Sequence, residues 1–249
     1  MPDTPLPAPP AGLLDGASLF LDFDGTLVEL AERPDAVAVD DRLHALMRGL
    51  ARCLDGRVAI VSGRPAGQVH ALFGNDGMTV VGSHGMEFRW HDGRVRVADR
   101  PEGLAQALVA MHALADRTPG MLVEDKPLGA ALHFRMAPAA EADAQALASK
   151  LAARHNLHLQ PGKMRVEVRA AGGDKGAAIR TLMSEPELAS TRPLFMGDDH
   201  TDEAGFEAAA ALGGAGILIG AARPTNATYR LNDVQATLAW LEAACGSAA

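Results

Sequence analysis

The chain has 249 residues, of which 48% are hydrophobic and 22% charged, and its formal net charge at pH 7 is −8. This size and composition are typical of a globular protein with one large domain, or with a core domain and a smaller companion. The acidic balance excludes a nucleic-acid-binding footprint, which needs clustered Lys and Arg, and no apolar run is long enough to cross a membrane.

The N-terminus and the two cysteines bear on location. Residues 1–17 are rich in Pro and lack the charged n-region of a signal peptide, so we expect them to form a flexible arm. Cys53 and Cys245 form no C-x-x-C pair and lie in apolar helical surroundings, which is typical of reduced core cysteines. We therefore expect a cytoplasmic protein with no membrane partner.

Strands and helices alternate in residues 18–99. An apolar run at Leu19–Leu21 predicts a buried strand, and apolar residues at helical spacing follow it. Arg57–Val61 and Met78–Val81 predict two more strands, each closed by a turn. This β-α-β-α-β order predicts a parallel sheet with helices on both faces, which is the first part of a doubly wound α/β core.

Residues 100–171 follow a different pattern, with helices predicted at 104–117 and about 139–155 and with strands of alternating polarity. The apolar strand positions are Leu132, Phe134, Met136, Met164, Val166 and Val168, and the polar ones are His133, Arg135, Arg165, Glu167 and Arg169. Helices packed on antiparallel strands with one polar face indicate an inserted α+β cap domain. Arg165 and Arg169 are expected to face solvent.

The doubly wound pattern resumes in residues 172–249, which form the second part of the core. The predicted elements are a helix beginning near Lys175, a strand at Leu194–Gly197, a helix at Thr201–Leu212, a strand at Ile217–Ile219 and a helix at Asp233–Ala244.

Two carboxylates follow the first strand, in Asp22-Phe23-Asp24-Gly25-Thr26. Because side chains alternate along a strand, Asp22 and Asp24 leave its end on the same side, with Phe23 on the other. Adjacent carboxylates repel each other, so the pair needs a divalent cation, a shared proton or a basic neighbour. Ligands of an open α/β sheet bind outside the carboxyl ends of the strands, which makes this pair the first candidate site.

A second acidic segment follows the late strand and reads Gly197-Asp198-Asp199-His200-Thr201-Asp202-Glu203. If both acidic turns lie at the same edge of the sheet, Asp22, Asp24 and Asp198 converge on one cation. Ligation by oxygen alone favours Mg²⁺ over Zn²⁺. The alternative is that the acids only cap the next helix, which explains Asp202 better than the double Asp directly after a buried strand.

Two further groups suit phosphoryl transfer, in which catalysis depends on positioning and on neutralisation of charge. Ser62-Gly63 follows a strand and offers a hydroxyl and an amide, while Lys175 at a helix start offers a fixed ammonium. Beside such groups a carboxylate can act as a nucleophile on phosphorus. Each signal alone is weak, but together they occur in the order D-x-D-G-T, S-G-R, D-K-G and G-D-D-x-T-D.

With these motifs in this order, the chain resembles the haloacid-dehalogenase-like phosphohydrolases over nearly its whole length. The resemblance implies that Asp22 is the nucleophile and that Asp24 is the general acid/base, which protonates the leaving alcohol and later activates water. The resemblance also implies that Ser62 donates a hydrogen bond to the phosphoryl group and that Lys175 neutralises the charge of that group. Asp198 would bind Mg²⁺ together with Asp22 and the Asp24 carbonyl. Asp199 and Asp202 would support the metal waters and the loop.

The resemblance narrows to the trehalose-6-phosphate phosphatases through motifs of the second and third strands and of the cap. The matching segments are Ser62-Gly63-Arg64, Gly82-Ser83-His84-Gly85, Glu124-Asp125-Lys126, His133-Phe134-Arg135, Gly162-Lys163 to Glu167, and Gly197 to Glu203. By this resemblance the sugar hydroxyls are bound from the cap by Glu124, Lys126, Lys163 and Glu167, and the cleft is lined by Gly63, Arg64, His84 and Arg135.

The resemblance thus implies a Mg²⁺-dependent phosphatase that converts trehalose 6-phosphate to trehalose and phosphate through an aspartyl-phosphate. Its partner is a sugar phosphate; a trehalose-phosphate synthase belongs to the same pathway, with no direct contact inferred. The near alternative is the same chemistry on a glucosyl- or mannosyl-glycerate phosphate or on sucrose phosphate. A catalytically silent binding domain is a different alternative, but the nucleophile, the acid and Lys175 are all present.

Overall fold

The computed structural model of the chain describes residues 6–31, 37–74, 77–162 and 164–247. The chain divides into two compact units. Met1–Arg96 and Asp174–Ala249 form the first, called the core unit, and Val97–Gly173 forms the second, called the cap unit. The insertion predicted at 100–171 lies within the cap unit.

Twelve strands and seven α-helices are described. The strands are β1 (Ala17–Leu21), β2 (Val58–Val61), β3 (Thr79–Gly82), β4 (Glu87–Arg89), β5 (Val95–Val97), β6 (Leu122–Lys126), β7 (Gly129–His133), β8 (His158–Gly162), β9 (Arg165–Arg169), β10 (Arg192–Gly197), β11 (Ala215–Ile219) and β12 (Tyr229–Leu231). The helices are α1 (Asp41–Cys53), α2 (Ala66–Phe73), α3 (Leu104–Ala115), α4 (Glu141–His155), α5 (Lys175–Met183), α6 (Glu203–Ala211) and α7 (Val234–Ser247).

One eight-stranded sheet has the order β12-β11-β10-β1-β2-β3-β4-β5. The six strands from β12 to β3 run parallel, and β4 pairs with β3 in the antiparallel sense. Leu21 at the end of β1 is in register with Met196 of β10 and Ile60 of β2. The residues that follow these three strands therefore emerge together at one edge of the sheet.

Both faces of the central strands β1, β2, β3, β10 and β11 are buried, which explains why these strands are continuous apolar runs rather than alternating ones. Leu19 and Leu21 contribute to an apolar cluster with residues of α1, α2 and α7. Phe20 and Phe195 contribute to a second cluster with residues of α5 and α6. The predicted doubly wound α/β core is thus confirmed.

The N-terminal segment differs from the flexible arm expected at 1–17. In the part that the structure describes, a 3₁₀ turn at Ala11–Leu14 buries Leu13 and Leu14 in the core, where the turn contacts α7. Trp240 Nε1 donates to the Pro9 carbonyl at 3.0 Å. The two buried leucines and this bond hold the described part of the segment against the core. The Pro content of the segment suggested flexibility and gave no indication of these contacts.

The cap unit holds a four-stranded antiparallel sheet with the order β6-β7-β9-β8. One face packs on α3 and α4 through a third apolar cluster that includes Leu132, Val166 and Val168. One predicted boundary is wrong, because β7 ends at His133 rather than continuing to Met136. Within the described residues, no helix is both long and apolar enough to span a bilayer.

Candidate active site

The DxD motif begins where β1 ends. The Asp22 N–H donates to the Met196 carbonyl at 2.9 Å, which continues the pairing with β10 by one residue. Phe23 is fully buried in the apolar cluster and packs edge-on against Phe73, with ring centroids 5.9 Å apart. This burial confirms that Phe23 points away from the edge and leaves the two carboxylates on the site side.

Lys175 supplies the ammonium expected beside the first carboxylate. The side chain of Asp174 caps α5 by accepting from the Ala177 N–H at 2.6 Å, so that Lys175 is the first residue of the helix. Its Nζ lies 2.7 Å from Asp22 Oδ1 and 2.5 Å from Asp202 Oδ1, and all three side chains are buried. Burial acts to lower the pKa of Lys175, but the carboxylates of Asp202 and Asp22 outweigh it and raise that pKa, so the ammonium stays charged.

The second acidic segment folds into a tight loop after β10. Asp202 Oδ2 accepts from the N–H groups of Asp198 and Asp199, both at 2.9 Å. Asp199 in turn accepts from the Thr201 N–H and forms a capping box with Asp202. The alternative that these acids cap the next helix therefore holds for Asp199 and Asp202, whereas Asp198 is not part of the capping box. A Cβ on Gly197 would lie 2.3 Å from Asp202 Cγ, which explains the glycine at that position.

Asp22, Asp198 and Asp202, which we call the carboxylate cluster, each place an oxygen within 4.8 Å of the others. Burial raises the pKa of Asp22 well above its usual range, although Lys175 opposes this. Burial, together with the carboxylates of Asp202 and Asp199, raises the pKa of Asp198 to about 7. Carboxylates crowded in this way destabilise one another unless a cation joins them.

The carboxylate cluster fits a hard divalent cation. Its ligand atoms are all oxygens, the donor type that Mg²⁺ prefers. Asp202 already has both oxygens bonded to Lys175 and to the loop N–H groups, which leaves Asp22 and Asp198 as the side chains best able to bind metal. Gly25 allows the turn after Asp24 to approach Asp198 closely. Its φ is +79°, and a Cβ there would lie 2.2 Å from Asp198 Oδ2.

Asp24 has a different partner from Asp22. Arg64 Nε and Nη2 donate to its two carboxylate oxygens, both at 2.7 Å, in a bidentate pair. The guanidinium also lies over the Phe23 ring, 5.6 Å from its centroid. The side chain of Asp24 is therefore held by Arg64 and is not part of the carboxylate cluster.

The S-G-R loop after β2 and the G-S-H-G loop after β3 contact each other directly. Ser62 is buried, and its Oγ accepts from the Arg64 N–H at 3.1 Å. The His84 N–H donates to the Ser62 carbonyl at 3.1 Å. A Cβ on Gly63 would lie 2.6 Å from His84 Cε1, so the glycine allows the imidazole to approach.

Five charged or titratable residues meet on the polar face of the cap sheet. This polar cap cluster consists of Glu124, Lys126, His133, Arg165 and Glu167. Lys126 Nζ lies 2.7 Å from Glu167 Oε2 and 3.9 Å from Glu124 Oε2, and His133 Nε2 lies 2.9 Å from Glu124 Oε2. Burial acts to raise the pKa of Glu124, but bonding to His133 and the charge of Lys126 outweigh it and lower that pKa, so Glu124 is ionised.

Of four cap residues with an expectation from the sequence, Arg165 and Arg169 need correction and one lies outside the described residues. Arg169 is buried rather than solvent-facing, and its Nη1 donates to the Ala170 carbonyl at 3.2 Å. Arg165 is half-buried, with Nη1 3.6 Å from Glu167 Oε2. Arg135 is exposed in the turn after β7, and Lys163 lies outside the described residues.

His133 and Arg165 are the two members of the polar cap cluster to which the sequence predictions gave no site role, and His133 is the one paired with Glu124. The signal was available, because β6 and β7 pair antiparallel with Leu122 opposite His133 and Glu124 opposite Ala131. In that register the side chains of Glu124 and His133 occupy neighbouring positions on one face of the sheet.

Comparisons with known proteins found a matching family model, similar sequences and similar structures. The trehalose-phosphatase family model matches residues 20–235. A probable trehalose-phosphate phosphatase of Sinorhizobium fredii is 38% identical over 86% of this chain and 81% of its own length. The trehalose-6-phosphate phosphatase of Escherichia coli is 36% identical over 90% and 84%. The C-terminal domain of a C. albicans trehalose-6-phosphate phosphatase superposes with a TM-score of 0.85 at 21% identity, covering 98% of this chain and 99% of that domain, a likeness of fold.

Proposed function

The chain belongs to the trehalose-phosphatase family, and on that premise we propose that it hydrolyses trehalose 6-phosphate to trehalose and phosphate through an aspartyl-phosphate on Asp22. The observation that carries the proposal is the separation of the two DxD carboxylates. Asp22 lies against the Lys175 ammonium, and Asp24 lies against the Arg64 guanidinium. Two chemically similar groups thus have different surroundings, as two different roles require.

In the first step a carboxylate oxygen of Asp22 attacks phosphorus, and the bond from phosphorus to the sugar oxygen breaks. Asp24 gives its proton to the departing sugar oxygen. Lys175 and Ser62 bind the phosphoryl oxygens, on which negative charge is spread in the transition state.

In the second step a water molecule attacks phosphorus and releases phosphate from Asp22. Asp24, now ionised, accepts the proton of that water, which restores both carboxyl groups to their starting states. Arg64 orients the ionised Asp24 for this second step, because a bidentate pair fixes the direction as well as the distance of the carboxylate.

We propose Mg²⁺ as the cofactor, held by Asp22 and Asp198 together with the Asp24 carbonyl, with Asp199 and Asp202 supporting the loop. Bound there, the ion would neutralise charge on the phosphoryl group and orient it for in-line attack. The raised pKa values of Asp22 and Asp198 support this choice, since burial and the neighbouring carboxylates disfavour the charged form of each group, and a bound cation would offset both effects.

We assign sugar recognition to Glu124, Lys126 and Glu167 of the polar cap cluster, with Lys163 and Arg135 retained from the family resemblance. Buried charged groups that hydrogen-bond hydroxyls reject analogues that lack them, because the protein groups are then left unpaired. Lys126 and Glu167 are both buried, which supports that use. His84 and Gly63 are likewise proposed as substrate-binding residues on the resemblance. A cytoplasmic location is proposed from the two free cysteines, and no contact with a synthase is inferred.

Phosphate release from a panel of sugar phosphates tests the proposed function. Trehalose 6-phosphate, glucose 6-phosphate and sucrose 6-phosphate would each be incubated with Mg²⁺ and with excess chelator. We expect trehalose 6-phosphate to be turned over with a kcat/KM at least about tenfold above the other two, and chelation to stop turnover. Equal turnover of all three would contradict the proposed substrate, and full activity in chelator would contradict the proposed cofactor.

A further inference from the structure

Glu87, at the start of β4, is a buried carboxylate that none of the motifs includes. It is 5% exposed and lies opposite Gly82 in the antiparallel pairing with β3. Within the described residues its hydrogen-bond partners are a hydroxyl and a backbone N–H, rather than a Lys or Arg side chain. Burying a carboxylate among neutral partners costs free energy of folding. The two groups that donate to Glu87 therefore indicate what this carboxylate does.

Those two bonds reach both loops of the candidate site. Glu87 Oε1 accepts a short hydrogen bond from Ser83 Oγ, in the G-S-H-G loop. Glu87 Oε2 accepts from the Ala66 N–H at 3.1 Å, at the first residue of α2 directly after the S-G-R loop. Pro65, the residue before that helix, makes no side-chain cap, so Glu87 caps α2 from a neighbouring strand.

The loops that Glu87 joins are themselves constrained. Ser83 and His84 have φ angles of +47° and +55°, a region that residues with a Cβ adopt rarely and only when their surroundings hold them there. The Ser83 N–H donates to the Arg64 carbonyl at 2.7 Å, and the His84 N–H donates to the Ser62 carbonyl. Fixing Ser83 therefore fixes the backbone that carries Ser62 and Arg64.

We infer that Glu87 is a positioning residue for the phosphatase reaction, which acts through Ser83 and the Ala66 N–H to hold Ser62 and Arg64 in place. Arg64 in turn holds Asp24, so the consequence of losing Glu87 is a misdirected acid/base and a misplaced phosphoryl ligand. The inference rests on the proposed function for its substrate, but the step that it affects belongs to the core chemistry and is shared by any phosphate ester.

The test compares Glu87→Ala, Glu87→Gln and Ser83→Ala on trehalose 6-phosphate and on p-nitrophenyl phosphate. In Glu87→Gln the amide oxygen can still accept from the Ala66 N–H and the amide nitrogen can donate to Ser83, so we expect kcat within about threefold of wild type. We expect Glu87→Ala to lower kcat about 10- to 100-fold on both substrates, the effect of a small misplacement of reacting groups. Ser83→Ala removes one of the two hydrogen bonds of Glu87, so its kcat should lie between those of Glu87→Gln and Glu87→Ala.

Two measurements separate positioning from a loss of fold. Asp233→Ala removes an exposed helix cap elsewhere in the core unit, in which Asp233 Oδ1 accepts from the Ala236 N–H at 2.8 Å at the start of α7, and serves as the control for loss of a cap alone. Each kcat is normalised to the folded fraction measured by circular dichroism at the assay temperature, and the Mg²⁺ concentration for half-activation is measured in parallel. We expect that concentration to stay at the wild-type value in Glu87→Ala, because the carboxylate cluster is not touched.

A Glu87→Ala protein with wild-type kcat on both substrates would overturn the inference, as would a Glu87→Gln protein as impaired as Glu87→Ala. An equal loss in Asp233→Ala after normalisation would also overturn it. If Glu87→Ala does not fold, Ser83→Ala decides, with wild-type kcat counting against the inference. A wild-type protein active on p-nitrophenyl phosphate alone would contradict the proposed substrate, while the variant series on that ester still tests Glu87.

Discussion

Replacing Lys175 with Met is expected to abolish turnover and to destabilise the core unit in a pH-dependent way. The Lys175 ammonium lies 2.7 Å from Asp22 Oδ1 and 2.5 Å from Asp202 Oδ1, and each of these side chains is no more than 7% exposed. Removing one partner of a buried ion pair costs about 3–5 kcal/mol, because the other charge is left without compensation. Here two carboxylates lose the same cation, which places the cost at the upper end of that range at high pH.

The pH dependence follows from the carboxylates that remain. Burial already raises the pKa of Asp22, and Lys175 is the group that opposes this rise. Without Lys175 that pKa rises further above its value in the unfolded chain, so the folded protein binds the proton more tightly. Stability then falls as the pH rises from the unfolded-state pKa through the folded-state pKa. The deficit of Lys175→Met relative to wild type should therefore be smaller near about pH 5 than near about pH 8.

Urea unfolding at both pH values measures this deficit, alongside phosphate release from trehalose 6-phosphate. Arg180→Met on the same helix, where the side chain is 56% exposed, is the matched control and should change the unfolding free energy by less than about 0.5 kcal/mol. A Lys175→Met protein with wild-type stability at both pH values would refute the reasoning about the buried charges. A variant with wild-type turnover would refute the role of Lys175 at the phosphoryl group.

Three further substitutions give distinct results. Gly25→Ala places a Cβ 2.2 Å from Asp198 Oδ2 at a φ of +79°. In a Mg²⁺ titration of activity, the concentration for half-activation should therefore rise about 10- to 100-fold, and an unchanged concentration would count against the assigned site. Arg64→Lys replaces the bidentate fork on Asp24 with a single ammonium and should lower kcat about tenfold in steady-state assays, whereas unaltered kcat would exclude an orienting role. Glu167→Gln should lower kcat/KM for trehalose 6-phosphate while sparing p-nitrophenyl phosphate, and equal losses on both would remove it from sugar recognition.

The alternation of strands and helices predicted the core because its signals are local and strong. Leu19–Leu21 is apolar at every position, and the acidic segments stand directly after strands whose ends the sheet brings to one edge. The convergence of Asp22 and Asp198 therefore followed from topology alone. The strand β12 was missed because Tyr229–Leu231 is short and offers no alternation to read.

The partners of individual side chains could not be predicted in the same way. Asp24 pairs with Arg64, forty residues later, because two loops from neighbouring strands meet, a contact that no local pattern encodes. Arg169 alternates with apolar residues as a solvent-facing position would, yet the neighbouring strand covers it and Gln160 accepts from its guanidinium at 3.4 Å. Charged residues on a sheet face show their polarity in sequence, but not what covers them.

Turnover of trehalose 6-phosphate by Asp22→Asn tests the central claim most directly. The amide has nearly the size of the carboxylate and keeps an oxygen toward Lys175, so the variant should fold, as its circular dichroism would verify. With Mg²⁺ present, we predict phosphate release by the wild-type protein and none above background by Asp22→Asn. A folded Asp22→Asn protein that releases phosphate from trehalose 6-phosphate at the wild-type rate would contradict the assignment of Asp22 as the nucleophile.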